Sequence, residues 1–217
     1  MLKAERQTVM ALVCVAILAV MVVASFEGLF GMVDEGEIIG IQLPFKKGIT
    51  WHTEPGLKLR LFGKLIRYDK EFSFVFRNMD TGNVKIVGSI YINIPNDEVF
   101  LNKLAHQYGS RDSIKLKLLQ PVFDRAIFRS ALLMASIKND ADRREQMRFF
   151  IEDQAAIGIY RTTAKNEKNI VTVDVLSDPQ NPNNYLRAEI SPLLDYGLKI
   201  HDLIIHEFVF YKKNRIY

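Results

Sequence analysis

The sequence predicts an α+β fold that follows a single N-terminal transmembrane helix. Three observations support this prediction: an uncharged apolar run at residues 9–26, a period of two in the apolar residues of 37–94, and a helical period after Asn96. Alternation of this kind is typical of half-buried antiparallel strands, whereas recurrence every three or four residues is typical of amphipathic helices. We expect antiparallel strands packed with about three helices.

Residues 9–26, VMALVCVAILAVMVVASF, form the predicted transmembrane helix after a short tail at 1–8. As a helix this run reaches about 27 Å, which is enough to span a bilayer core, and it has no polar face. Lys3 and Arg6 precede it, and the acids that follow are Glu27, Asp34, Glu35 and Glu37. The positive-inside rule therefore predicts a single-pass protein with a cytoplasmic N-terminus and its soluble part across the membrane.

A cleaved signal peptide is the alternative interpretation of this segment, because VVAS at 22–25 offers small residues near a cleavage point. The apolar run is long for a signal peptide, and its N-terminal flank is only weakly positive. Both features favour the uncleaved anchor.

The strand-rich part contains four alternating apolar series: Ile39, Ile41 and Leu43; Leu57, Leu59 and Leu61; Phe72, Phe74 and Phe76; and Val84, Ile86, Ile90, Ile92 and Ile94. In TEPGLKLRLFGK, residues 53–64, this pattern predicts leucines that face a core. Lys58 and Arg60 would then face water or lipid headgroups, where each basic residue contributes about 1 kcal/mol beside an anionic leaflet. These two residues are our candidate membrane-surface contacts. Asp80, Thr81 and Gly82 predict a hairpin turn.

The helical part contains three predicted helices. Asn96 or Asp97 caps the first, which Gly109 ends, and Pro121 starts the second at its first turn. The third follows KNDAD and carries an apolar stripe of Met147, Phe150, Ile151 and Ile157.

Strand patterns return at residues 158–163, 169–176 and 185–190, before a closing strand whose apolar residues alternate through Ile200, Ile204, Phe208 and Phe210. His201 and His206 lie five residues apart in this last strand. Regular alternation places them on opposite faces.

Recognisable chemistry is sparse along the chain. It has no GxSxG elbow, no glycine-rich phosphate loop and no HExxH helix, so we expect no catalytic residue, metal site or cofactor. Lys and Arg are interspersed with 25 acids at a net charge of +4, which excludes the dense basic stripe of a nucleic-acid-binding protein. Cys14 is the only cysteine, so an internal disulfide is impossible.

The order of the motifs after the anchor resembles the SPFH family, which includes stomatins, prohibitins and flotillins. The matching residues are Val33, Gly36, Glu37 and Gly40; Pro55, Gly56, Leu57 and Lys58; and Gly82, Val84, Ile86, Val87, Ile90, Tyr91 and Ile94. Arg144 with its helix and the strand GLKIHDLIIHEFVF extend the resemblance, which covers residues 33–211.

The resemblance implies two subdomains. The first, at 33–95, is strand-rich, and the second, at 96–217, is helix-rich with a strand-rich insertion near 160–189 that the family pattern lacks. It also implies a non-enzymatic scaffold that organises membrane proteins or lipids, forms homo-oligomers or assembles with related SPFH proteins, and modulates a membrane protease. No long heptad-bearing helix occurs before Tyr217, so a large closed ring is less expected. The alternative is an anchored or secreted binding domain, also non-enzymatic, that does not self-assemble.

Overall fold

The computed structural model describes residues 12–18, 20–22, 26, 28–78, 84–134, 140–167, 170–181 and 184–210. Contacts divide the chain into a first unit, Met1–Tyr68, and a second unit, Asp69–Tyr217. The subdomain boundary predicted at residues 95 and 96 falls inside the second unit. The predicted turn at Asp80–Gly82 lies outside the described residues.

The predicted transmembrane segment is described only in part. Residues 12–18 and 20–22 are helical, and their side chains are exposed. No helix among the residues described here is both long enough and apolar enough to cross a membrane.

The first unit contains five strands: β1 (Phe30–Val33), β2 (Glu37–Gln42), β3 (Thr50–His52), β4 (Gly56–Leu59) and β5 (Lys64–Asp69, whose last residue enters the second unit). The strands β1 and β4 form an antiparallel ribbon, and β3, β2 and β5 form a three-stranded sheet in that order.

The core of the first unit is small and apolar. Val33, Ile39 and Ile41 are buried together, with Leu43 and Leu65 packed against them. Beside them the Trp51 and Tyr68 rings stack at 5.8 Å. Burial raises the pKa of Tyr68 to about 12.

The second unit is built on a sheet of β6 (Glu71–Asn78), β7 (Val84–Asn93) and β12 (Lys199–Phe210), in which β7 is central and both pairings are antiparallel. Its helices are α1 (Glu98–Gln107), α2 (Arg111–Ile114), α3 (Gln120–Leu133) and α4 (Asp140–Ala156). The two-stranded pairs are β8 (Gly158–Tyr160) with β11 (Arg187–Ile190), and β9 (Thr162–Glu167) with β10 (Ile170–Val175). An α+β class with antiparallel sheets is therefore confirmed.

The starts of the first two predicted helices of the second unit are confirmed. Asp97 caps α1 by accepting the Val99 N–H at 2.8 Å, and Gly109 follows the helix with a φ of 73°. Pro121 lies in the first turn of α3, as predicted. It lies beyond a π turn, Lys115–Leu119, that joins α2 to α3. The wider turn accommodates proline, which lacks an N–H to donate.

One aromatic side chain joins the helices to the sheet. Phe123 of α3 stacks on Phe76 at 5.2 Å and contacts Phe74 at 5.5 Å. The Phe76 ring also lies over Gly88 of β7, where an added Cβ atom would be 2.4 Å from the ring. Glycine at position 88 therefore leaves room for the central aromatic stack.

The strands at 158–190 are held to α4 by Arg187. Its guanidinium lies 2.7 Å from an Asp153 carboxylate oxygen, donates to the Gly158 carbonyl at 2.7 Å, and covers the Tyr160 ring at 4.4 Å. Arg187 and Asp153 are both mostly buried, so this contact fixes β8 and β11 against the helix.

The closing strand β12 corrects two predictions. Its register shifts between His201 and Ile204 and again between Ile205 and Glu207, and Asp202 has a φ of 53°. These β-bulges interrupt the period of two. Ile204 consequently leaves the alternating series: it pairs with Ser89 and is exposed, whereas Ile200 pairs with the buried Ile92. His201 pairs with Tyr91 and His206 bonds Ser89 at 2.8 Å, so the two histidines lie on the same face.

Replacing Gly88 with alanine is expected to destabilise the protein by about 1–3 kcal/mol, because the new methyl group would lie 2.4 Å from the Phe76 ring and 2.7 Å from the Ile204 carbonyl oxygen. Chemical denaturation would measure this change. Adding Phe76→Leu to Gly88→Ala should recover part of the loss relative to the sum of the single variants. A fully additive double variant would contradict the steric explanation.

Candidate functional site

A band of exposed apolar side chains, which we call the apolar edge, lies on the first unit. Its members are Phe26, Met32, Leu57, Leu59, Leu61 and Phe62. Met32 pairs with Leu57 across the β1–β4 ribbon, and Phe30 pairs with Leu59, so each pair shares a face. The Phe26 ring packs on Phe30 at 4.9 Å and brings the edge up to the end of the apolar N-terminal segment.

The outward direction of these leucines contradicts the predicted orientation of TEPGLKLRLFGK. Leu57 and Leu59 are 51% and 56% exposed, whereas Lys58 between them is half-buried. The inner side of the ribbon holds Gly31, paired with Lys58, and the buried Val33. A lysine stem can cover apolar surface there, so the bulkier leucines occupy the outer side.

The turn that follows β4 is strained and projects two more apolar side chains. Leu61 and Phe62 have φ angles of 49° and 60°, a left-handed conformation that bulky residues rarely adopt. Each such residue costs on the order of 1–3 kcal/mol. Both nevertheless remain exposed, Phe62 by 65%.

Backbone hydrogen bonds hold this turn in place. The N–H groups of Arg60 and Leu61 donate to the Leu29 carbonyl at 2.7 and 3.1 Å, and the Phe62 N–H donates to Gly28 at 2.6 Å. The Arg60 Nε donates to the Gly63 carbonyl at 2.7 Å. Arg60, predicted as a headgroup contact, therefore also fixes the turn that presents Leu61 and Phe62.

The second predicted contact, Lys58, carries its charge near a histidine. Burial, and secondarily the Lys58 ammonium, hold the pKa of His52 below its ordinary value of 6.5. His52 belongs to β3, so the positive charge of Lys58 on the ribbon acts on a side chain of the three-stranded sheet.

Sequence reasoning missed most of the apolar edge. The alternation of Leu57 and Leu59 was correctly taken as strand, but periodicity alone does not say which face is buried. A signal for the turn existed, since Leu61 and Phe62 directly precede Gly63. Phe45 was also missed, although it is fully exposed beside Lys46 and Lys47 in the sequence.

The second unit has a groove of about 530 Å³ beside α4 and β12. It is lined by four charged and four apolar side chains: Arg144, Glu145, Arg148 and Glu152, with Phe149, Leu203, Ile204 and Ile205. Arg144 also donates to the Ile205 carbonyl on β12. In the part of the chain that the structure describes, no three His, Cys, Asp or Glu side chains are placed to hold a metal ion.

Comparison with models of known protein families, and with curated proteins, finds no match to this chain.

The variant Lys58→Gln is expected to raise the pKa of His52 toward 6.5, because it removes the nearby positive charge. An NMR titration of the His52 ring measures this shift. The matched control is Lys64→Gln, at an exposed lysine of β5 in the same unit. An unchanged His52 titration in Lys58→Gln would contradict the proximity of the two side chains.

Stability should also fall as the pH decreases below 6.5. The pKa of His52 is lowered in the folded state, so the unfolded chain takes up the proton first and is favoured at lower pH. Denaturation at pH 7.5 and 5.5 should show a smaller loss in His52→Gln than in the unchanged protein. Equal losses would contradict this assignment.

Proposed function

We propose that this protein is a membrane-anchored scaffold that assembles with copies of itself and organises membrane proteins or lipids. The observation that carries the proposal is the apolar edge. Exposed apolar side chains that cluster on a soluble unit indicate an interaction surface. This one begins at Phe26, where the predicted anchor at residues 9–26 ends.

Burial in lipid is favourable for the apolar edge. A large apolar side chain that is half exposed gains roughly 1 kcal/mol on leaving water, so six of them supply several kcal/mol. That energy offsets the cost of holding Leu61 and Phe62 in a left-handed turn. Lys58 would add about 1 kcal/mol beside an anionic leaflet. The edge thus orients the first unit on a membrane to which residues 9–26 attach the chain.

The resemblance to SPFH proteins supports self-assembly as the second half of the proposal. In that family, copies associate side by side at a membrane and can modulate a membrane protease. The closing strand and the Arg144 helix, both part of the resemblance, lie together in the second unit. On this basis the partners are the bilayer, further copies or related SPFH proteins, and a membrane protease. The N-terminus would be cytoplasmic, and the two units would lie on the opposite side of the membrane.

The groove beside α4 and β12 favours the second candidate, a binding domain that does not self-assemble. Its volume of about 530 Å³ and its mixture of Phe149 with arginines and glutamates suit a small amphipathic partner. The two candidates differ in the number of copies that associate in a membrane.

The double variant Leu57→Thr with Leu59→Thr tests the apolar edge. Threonine suits strands, so the fold should persist, while contact with lipid weakens. A lipid-soluble photoreactive probe would be applied to the full chain in liposomes. It should label peptides of the first unit at least about fivefold less in the double variant than in the unchanged protein. Mass spectrometry measures this labelling.

The matched control is Val99→Thr, which changes a valine that is 72% exposed in the second unit. It should leave labelling of the first unit unchanged. Equal labelling of the edge variant and the unchanged protein would show that the edge does not contact lipid.

A further inference from the structure

Within the described residues of the second unit, no helix or strand packs on one face of the β6–β7–β12 sheet. On the other face Phe76, Ile86 and Ile90 are buried. The open face, as we call the uncovered side, carries Val75, Tyr91 and Ile204 at 54%, 39% and 48% exposure. A solvated sheet face usually carries polar side chains, so this apolar centre is a candidate docking surface.

Strand register arranges the open face in four rungs, each with one residue from β6, β7 and β12. The two central rungs are Ser73–Tyr91–His201 and Val75–Ser89–Ile204. Directly paired residues in antiparallel strands point to the same side, so these six side chains lie together. The Tyr91 and His201 rings stack at 5.8 Å on this face.

The two outer rungs carry opposite patterns of charge. One is Glu71–Asn93–Lys199, and the other is Arg77–Val87–Glu207. In these rungs the charge is negative on β6 and positive on β12 at one end, and the reverse at the other. Within the chain, Glu207 also pairs with Lys85 at 2.6 Å, and Glu71 lies 3.8 Å from His201 Nε2. The two ends lie six residues of β7 apart, or about 20 Å.

We infer that the open face docks on the open face of a second copy of this chain. A two-fold axis across the strands, midway between the central rungs, places each strand against its own copy in antiparallel orientation. Glu71 then faces Arg77 of the other copy, and Lys199 faces Glu207. Both contacts occur twice, and the central apolar side chains meet between them. Such self-complementarity is what a two-fold interface requires.

The size of the open face indicates a weak pairing. Four rungs over three strands cover roughly 300 Å² per copy, well below the roughly 800 Å² per partner of a stable complex. The inference therefore rests on the proposed scaffold function, because anchoring in one membrane raises the effective concentration of the copies.

Zero-length crosslinking of the full chain in liposomes tests this pairing. A carbodiimide joins an amine to a carboxylate that it contacts, as Lys85 and Glu207 do within one chain at 2.6 Å. A link between Lys199 and Glu207 is out of reach within one chain, since about 20 Å of strand separates them. We expect the Lys85–Glu207 link in monomers and dimers, and the Lys199–Glu207 link in dimers alone.

Charge-reversal variants provide the specificity control. Glu71→Arg alone and Arg77→Glu alone should each reduce the yield of linked dimer about fivefold or more, because like charges then face each other. Mixing the two variants should restore it, since each Arg again meets a Glu. Lys117→Glu, at an exposed lysine outside the open face, should have no effect. Circular dichroism verifies that each variant is folded.

The failures are distinguishable. Oligomers that lack the Lys199–Glu207 link, or no rescue on mixing, would overturn the open face as the interface while leaving the scaffold proposal intact. Monomers alone, with the Lys85–Glu207 link present, would overturn both. Links from the open face to a different protein would replace the second copy as its occupant.

Discussion

The period-two alternation of β7 is the constraint on which the second unit depends. Ile86, Ile90 and Ile92 face the helices and are fully buried, so the intervening residues must face outward. Gly88 belongs to the same inward-facing series. It has no side chain, and the Phe76 ring occupies the space where one would lie. One arrangement thus produces both the packed core around Phe123 and the uncovered face that we assign to self-association.

The first unit obeys the same alternation with an unusual result. In β4 the outward positions hold Leu57 and Leu59, while Lys58 is half-buried. Together with the left-handed turn at Leu61 and Phe62, this arrangement exposes apolar surface at a conformational cost. Strain of this kind persists where the surrounding structure maintains it, as the hydrogen bonds to Leu29 and Gly28 do here. A lipid surface is the partner that we propose for it.

The sequence was sufficient to predict the fold class and many elements, because their signals are local. Asp97 and Gly109 bound a helix through capping chemistry, and the Phe72, Phe74 and Phe76 series defines a strand. Pro121 was correctly placed in the first turn of α3, where a missing N–H is tolerated, but the π turn that precedes it was not foreseen. The bulge at Asp202 was missed because it depends on pairing with β7. It reversed the expected positions of Ile204 and of the two histidines.

The apolar edge was predictable as a strand and a turn, but not as a surface. Whether leucine or lysine faces inward depends on which strand pairs with β4, and that pairing is not local in sequence. Lys58 and Arg60 stand as predicted membrane contacts. The structure adds that Arg60 bonds the turn and that Lys58 adjoins His52.

The number of copies in one membrane complex tests the scaffold account most directly. Complexes of the full chain would be extracted into lipid nanodiscs without detergent and weighed by mass photometry. The account predicts particles that contain several copies, at protein densities where an unrelated single-pass control remains monomeric. Particles that contain one copy throughout would contradict it and favour a binding domain that acts alone.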